Sequence, residues 1–268
     1  MVDYVIRGGE EGRARLSVIG DALAASTAAL LGSAKLGAGM RCLDLGCGGG
    51  DVTRMMARAV GPGGHVVGID MDAVKVGLAQ QDARDQRLAH AEFQTGDAAA
   101  LDADSEYDLV YARLLLTHLN DPEATLRRMI AAAVPGGVVV VEDLEHSAVF
   151  AFPNCPALDR YVELYNELAS RRGGDPDIGP KLAGLLGRCG LDEIHLRLTQ
   201  PVFLDGPAKR IHNVTLENVK ESLLATGVAT PDQITSLAAD LETYIDTPGT
   251  IVAFPRIFQL HGRRARRS

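Results

Sequence analysis

Between Arg41 and Val141, five short runs of strand character alternate with helical patterns, and that rhythm leaves the chain few architectures. The runs are Arg41–Leu45, His65–Ile69, Glu92–Thr95, Tyr107–Ala112 and Val138–Val141. Most are nearly continuously apolar, as a strand covered on both faces must be. Strands joined through helices return in the same direction, so the pattern predicts an α/β fold with a mostly parallel sheet and helices on both faces. Two helix starts are explicit. Asp72 can cap a helix running towards Leu88, and Asp121-Pro122 couples an N-cap acid to proline at the first helical position.

The first run enters Leu43-Asp44-Leu45-Gly46-Cys47-Gly48-Gly49-Gly50-Asp51, and a helix follows. A glycine turn between strand and helix lets backbone approach a bound nucleotide because no Cβ intervenes. Such a turn serves both dinucleotides and S-adenosylmethionine (SAM). The dinucleotide fingerprint wants glycine or alanine three residues after its second glycine. Counted from Gly46 and Gly48, that position is Asp51, whose carboxylate would repel a pyrophosphate. SAM has no phosphate, and Asp44 can help to bind its ammonium. Asp70 ends the second run, where a carboxylate can accept from both ribose hydroxyls, with Met71 placed against the adenine face. Asp97, with Ala98 beside it, ends the third run and can accept from the adenine amino group.

Leu43–Thr53, Val67-Gly68-Ile69-Asp70, Gly96-Asp97 and Tyr107-Asp108-Leu109-Val110 together resemble successive motifs of the class I SAM-dependent methyltransferases. Leu114–Leu119, Asp121-Pro122 and Pro135-Gly136-Gly137 extend the resemblance, which is closest to the broad group acting on ubiquinone precursors and secondary metabolites. It implies a Rossmann-like seven-stranded sheet with an antiparallel last strand, SAM as cofactor, and a helix from Tyr4 to Leu31 that caps it. The cofactor set is then Asp44, Gly46, Gly48, Gly50, Asp70, Met71, Asp97, Ala98 and Arg113, the last a candidate for the methionine carboxylate. For the acceptor side the candidates follow the fourth and fifth strands: His146 as first choice for a general base, His118 as second, with Asp143 and Glu145 beside them.

Beyond Glu142 the alternation breaks. Leu191–Thr199 and Thr250–Leu260 read as two late strands, and helical patterns occupy parts of 147–178 and 205–247. A single domain over 1–268 is expected, with a core of about 35–145, 179–204 and 248–262, and cap elements of about 1–32, 147–178 and 205–247 folded over the carboxyl ends of the strands.

Charge and cysteine usage narrow the function. A formal net charge of −8 disfavours nucleic acid as a partner, and with it an RNA methyltransferase. The basic run Arg263-Arg264-Ala265-Arg266-Arg267 is expected to be a solvated tail. The four cysteines form no Cys-x-x-Cys pair and the seven histidines do not cluster, so no metal is expected. Without a signal pattern or a run of about 18 apolar residues, no membrane association is expected and the cytoplasm is the expected compartment. The reading is an enzyme methylating a small-molecule acceptor, O-methylation favoured over N or C, as a monomer or homodimer. A non-catalytic SAM-binding regulator and a nicotinamide-dependent oxidoreductase remain the alternatives.

Overall fold

The computed structural model describes residues 9–266. Helix α1 (Gly9–Ser33) leads into β1 (Arg41–Leu45), α2 (Asp51–Val60), β2 (His65–Asp70), α3 (Ala73–Asp85), β3 (Ala91–Thr95), β4 (Tyr107–Arg113), α4 (Pro122–Ala132) and β5 (Ala133–Glu145). The local signals act as expected at two helix starts. Asp72 accepts from the backbone N–H groups of Val74 and Lys75, and Asp121 from that of Ala124. Tyr4, the expected start of the capping helix, lies outside the described residues.

The second half of the chain gives β6 (Ala151–Phe152), α5 (Pro156–Arg171), α6 (Leu182–Arg188), β7 (Leu191–Thr199), β8 (Val202–Phe203), α7 (Ile211–Ala225), α8 (Pro231–Asp246), β9 (Ile251–Ala253) and β10 (Arg256–Arg264). Seven strands form one sheet in the order β3-β2-β1-β4-β5-β10-β7. The first five are mutually parallel, and β10 runs antiparallel to both its neighbours. The order reverses between β1 and β4, which makes the carboxyl ends of those strands the place where an open α/β sheet binds a ligand.

Side chains alternate across this sheet and build two cores. Leu43, Val110 and Val139 face one side, where α4 and α6 pack; Cys42, Tyr111 and Val140 face the other, where α1, α2 and α3 pack. A third cluster joins α5, α7 and α8 through Leu164, Leu168, Leu216, Leu223 and Leu241. A fourth ties α1 to the sheet's carboxyl end: Ile19 and Leu23 meet Leu144, Ile211, Phe254 and Ile257. Each such side chain contributes about 1.5–3 kcal/mol when taken fully out of water, so the cap is a packed layer.

Three features depart from expectation. The stretch Thr250–Leu260 is two strands: β9 pairs with β6 and β8 in a separate three-stranded sheet, and β10 begins after Pro255, which has no N–H to donate. The basic run is not a free tail over its described part. Arg263 and Arg264 belong to β10, and the Arg264 guanidinium donates to the carbonyls of Ala131 and Ala133, 2.5 Å each, at the carbonyl end of α4; Arg267 lies outside the described residues. Finally, Ala14–Ser33 of α1 is long and apolar enough to cross a membrane by length and composition alone, yet its Ile19, Leu23, Leu30 and Leu31 are buried within this fold.

Candidate functional site

The site begins where β1 ends. The N–H groups of Gly46 and Cys47 both donate to the carbonyl of Ile69, at 2.8 and 3.0 Å, folding the turn back over β2. Gly46, Gly48 and Gly50 all take positive φ, at 76°, 53° and 74°, which L side chains rarely adopt. At Gly48 a Cβ would also stand 2.9 Å from Leu16 Cδ1, so α1 lies directly on the turn. Gly50 differs. A Cβ there would meet the Phe93 ring at 2.5 Å and Ala79 at 2.9 Å, so this glycine serves packing beneath the loop and lines neither cavity beside the turn. Of the expected cofactor set, Gly50 thus lies beneath the loop, while Gly49 lines the smaller cavity.

Two cavities adjoin at this turn. The larger, about 280 Å³, is walled by Ile69, Met71, Asp97, Ala98, Leu119 and Arg128. The smaller, about 70 Å³, is walled by Asp44, Gly48, Arg113, Arg15, Ile19 and Tyr165. Gly46, Asp70, Leu114 and His118 line both, so a single ligand can extend from one into the other.

Carboxylates mark the strand ends. Asp44 is 2% exposed and accepts from Thr53 Oγ1 at 2.6 Å; burial pushes its carboxyl up to about 7. Asp70 accepts from the N–H groups of Gly48 and Asp72, both at 2.9 Å, and its oxygens keep further lone pairs for a ligand. Asp97 is exposed and accepts from the N–H of Ala99 at 2.8 Å. Arg113 donates through Nη2 to Asp51 Oδ2 at 2.6 Å, and its buried Nη1 has no hydrogen-bond partner. A buried donor left unpaired is costly, about 1–3 kcal/mol, so this nitrogen is a natural place for a ligand's acceptor.

The two histidines separate. His118 lines both cavities, and burial, with the nearby Arg15 and Lys75 cations, lowers its pKa to about 4. His146 lines neither. It is 3% exposed behind Tyr165, packed against that ring at 4.3 Å between centroids with the planes tilted by 33°, and with Nδ1 bonded to Asn166 Oδ1 at 2.7 Å. Burial and the neighbouring His212 lower its pKa to about 3. His146, the first choice for a general base, is therefore placed outside both cavities, behind Tyr165. Asp143 is also away from the cavities: fully buried, it accepts from the N–H groups of Thr117 and Leu144 at 3.1 and 2.9 Å, which fixes the turn carrying His118. Burial raises its carboxyl to about 7. Glu145 is paired with Arg256 at 2.8 Å.

The cap reaches the site in part. Tyr165 of α5 lines the smaller cavity, whereas 205–247 stands behind and lines neither cavity. Its contribution is indirect, through Thr215, which accepts from Arg15 Nε at 2.9 Å, and His212, packed 5.3 Å from the Tyr161 ring. Arg15, Lys75 and Tyr165 were not among the sequence candidates. Arg15 does precede Leu16 and stands one helical turn before Ile19 on the apolar stripe of α1, the only local hint it carries. Among the described residues no group of three or more His, Cys, Asp or Glu could hold a metal ion.

A doubly covered parallel sheet, a glycine turn at its switch point and three acids at successive strand ends define a nucleotide-type ligand site with a smaller cavity adjoining it. Residues 36–170 match the methyltransferase domain family, and the chain belongs to it. The chain is 34% identical over 128 residues to 2-phytyl-1,4-naphtoquinone methyltransferase of Thermosynechococcus vestitus, a match covering 47% of this chain and 53% of that protein. It is 35% identical over 111 residues to the ubiquinone biosynthesis O-methyltransferase of Aeromonas salmonicida, covering 41% and 45%. The chain thus spans about half the length of these curated relatives. In fold it is similar to a candidate methyltransferase from Bacillus halodurans, with a TM-score of 0.61, 17% identity, and coverage of 89% and 98%.

Proposed function

We propose that this chain transfers the methyl group of SAM to an oxygen of a small-molecule acceptor, with core and cap working as one catalytic unit. The observation that carries the reading is the continuity of the two cavities through Asp70 and His118. The larger one suits adenosine: Asp70 receives the ribose hydroxyls, Asp97 the adenine amino group, and Met71, 48% exposed, lies against the base with Ala98. The smaller one suits the methionine end: Asp44 faces the ammonium and Arg113 Nη1 the carboxylate. Gly46 and Gly48 let the backbone approach between them.

SAM supplies a methyl group already activated as a sulfonium. The protein's task is then to align the acceptor, exclude water and take a proton. Leu16, Ile19, Leu114 and Leu144 give the chamber an apolar wall that excludes water. His118 is the titratable group best placed to take the acceptor's proton, and its low pKa keeps it unprotonated at neutral pH. An O-methyltransferase gains from such a base, and the similarity to a ubiquinone biosynthesis O-methyltransferase supports the preference for oxygen.

Binding and turnover separate this reading from its rivals. Calorimetry should show one site for S-adenosylhomocysteine (SAH) and none for NAD, and a panel of phenolic acceptors should release SAH. NAD binding would favour an oxidoreductase; SAH binding without turnover on any acceptor would favour the regulator.

A further inference from the structure

Arg15 is a cation in the smaller chamber for which the proposed methyl transfer has so far found no use. Thr215 holds its Nε at 2.9 Å while donating its own hydroxyl to the Ile211 carbonyl at 2.7 Å, which leaves both Nη groups for another partner. Among the described residues no carboxylate pairs with it. The chamber's acids are engaged elsewhere: Asp51 with Arg113, Asp44 with Thr53, and Asp70 with the N–H groups of Gly48 and Asp72. A partly desolvated guanidinium without a counter-charge is unfavourable unless a ligand brings one.

The surroundings of that cation are aromatic. Its charge reaches Tyr161, Tyr165, His118, His146 and His212: burial, the larger influence, raises the two tyrosines and lowers the three histidines, and the cation opposes the first shift and adds to the second. Tyr165, which lines the chamber, is backed by His146, and His146 is in turn held through Asn166, Ser147 and Asp177 at 2.7, 2.9 and 2.6 Å. The ring therefore presents a fixed wall beside a fork of N–H donors matched to a carboxylate.

We infer that the acceptor is an acidic aromatic compound whose carboxylate is received by Arg15 while its ring lies beside Tyr165. This rests on the methyltransferase reading and adds the charge and shape of its substrate. Arg113 Nη1 already offers the cofactor's carboxylate a donor, so Arg15 is assigned to the acceptor.

The test is calorimetric, on the full chain saturated with SAH, using benzoate, 4-hydroxybenzoate and 3,4-dihydroxybenzoate against their primary amides. At least one acid should bind about tenfold or more tightly than its amide, as charge-assisted pairing requires. Arg15→Gln should remove that preference, Arg15→Lys should restore part of it, and both should bind SAH within about twofold of wild type, their folding checked by thermal melting. Equal binding of acids and amides, or no binding of any of them beside normal SAH binding, would overturn the inference. A tenfold loss of SAH affinity in Arg15→Gln would also overturn it, giving Arg15 to the cofactor. Absence of SAH binding to wild type would instead remove the methyltransferase reading beneath it.

Discussion

Asp70 combines two tasks in one carboxylate: it pins the glycine turn through Gly48 and offers its remaining lone pairs to a ribose. Asp70→Ala is expected to weaken SAH binding by roughly 1.5–3 kcal/mol, the worth of charge-assisted hydrogen bonds, as calorimetry would read. Unchanged affinity would separate the ribose from this residue. The histidines give a sharper contrast. His118→Ala should lower single-turnover rates by roughly 10²–10⁴, the usual worth of a positioned base, whereas His146→Ala should leave the chemical step nearly intact. Because His118 titrates at about 4, the rate carried by its neutral form should stay flat from pH 8 down to about 5 and fall below that. A rate fall centred on pH 6.5 would contradict this environment.

At the scale of elements, the contact between α1 and the glycine turn decides how well the chamber is formed. A Cβ at Gly20 would stand 2.6 Å from Asp51 Oδ2, the oxygen that holds Arg113. Gly20→Ala therefore sets two effects against each other. Helix propensity favours alanine by about 1 kcal/mol, so the melting temperature should hold or rise. Displacing Asp51 frees Arg113 from its position, so SAH affinity should drop roughly tenfold, the worth of one hydrogen bond. Loss of stability with intact affinity would reverse that assignment. The elements themselves were largely legible, because strand runs and caps such as Asp72 and Asp121 are local signals. What was not legible depends on packing between distant segments. His146 follows β5 as the sequence indicates, but only the seating of α5 shows that Tyr165 stands between it and the chamber. Arg15 becomes visible only when α1 is laid across the sheet, and Gly50 is told from Gly48 only by the ring of Phe93 beneath it.

Over the whole molecule, burial of neutral imidazoles links stability to pH. His146 titrates at about 3 and His212 at about 4 when folded, against 6.5 ordinarily. Their contribution is complete above pH 6.5 and is lost as pH falls towards 4, because the unfolded chain then binds more protons. Asp44 and Asp143, raised to about 7, act in the opposite sense, favouring the folded state as pH falls from 7 towards 4. The histidine share can be isolated with His146→Gln: its stability deficit against wild type should narrow between pH 6.5 and 4 in denaturant titrations. A deficit constant with pH would show that His146 is not held neutral.

The paired cavities are proposed to form one SAM site, with Arg15, His118 and Tyr165 of the smaller cavity left for the acceptor. A crystal structure of the protein with SAH tests it most directly. Adenine is expected beside Met71 and Asp97, ribose hydroxyls on Asp70, the ammonium near Asp44, the carboxylate on Arg113 Nη1, and sulfur turned towards His118 and Tyr165. SAH bound with its sulfur facing away from those two side chains, or bound outside both cavities, would contradict it.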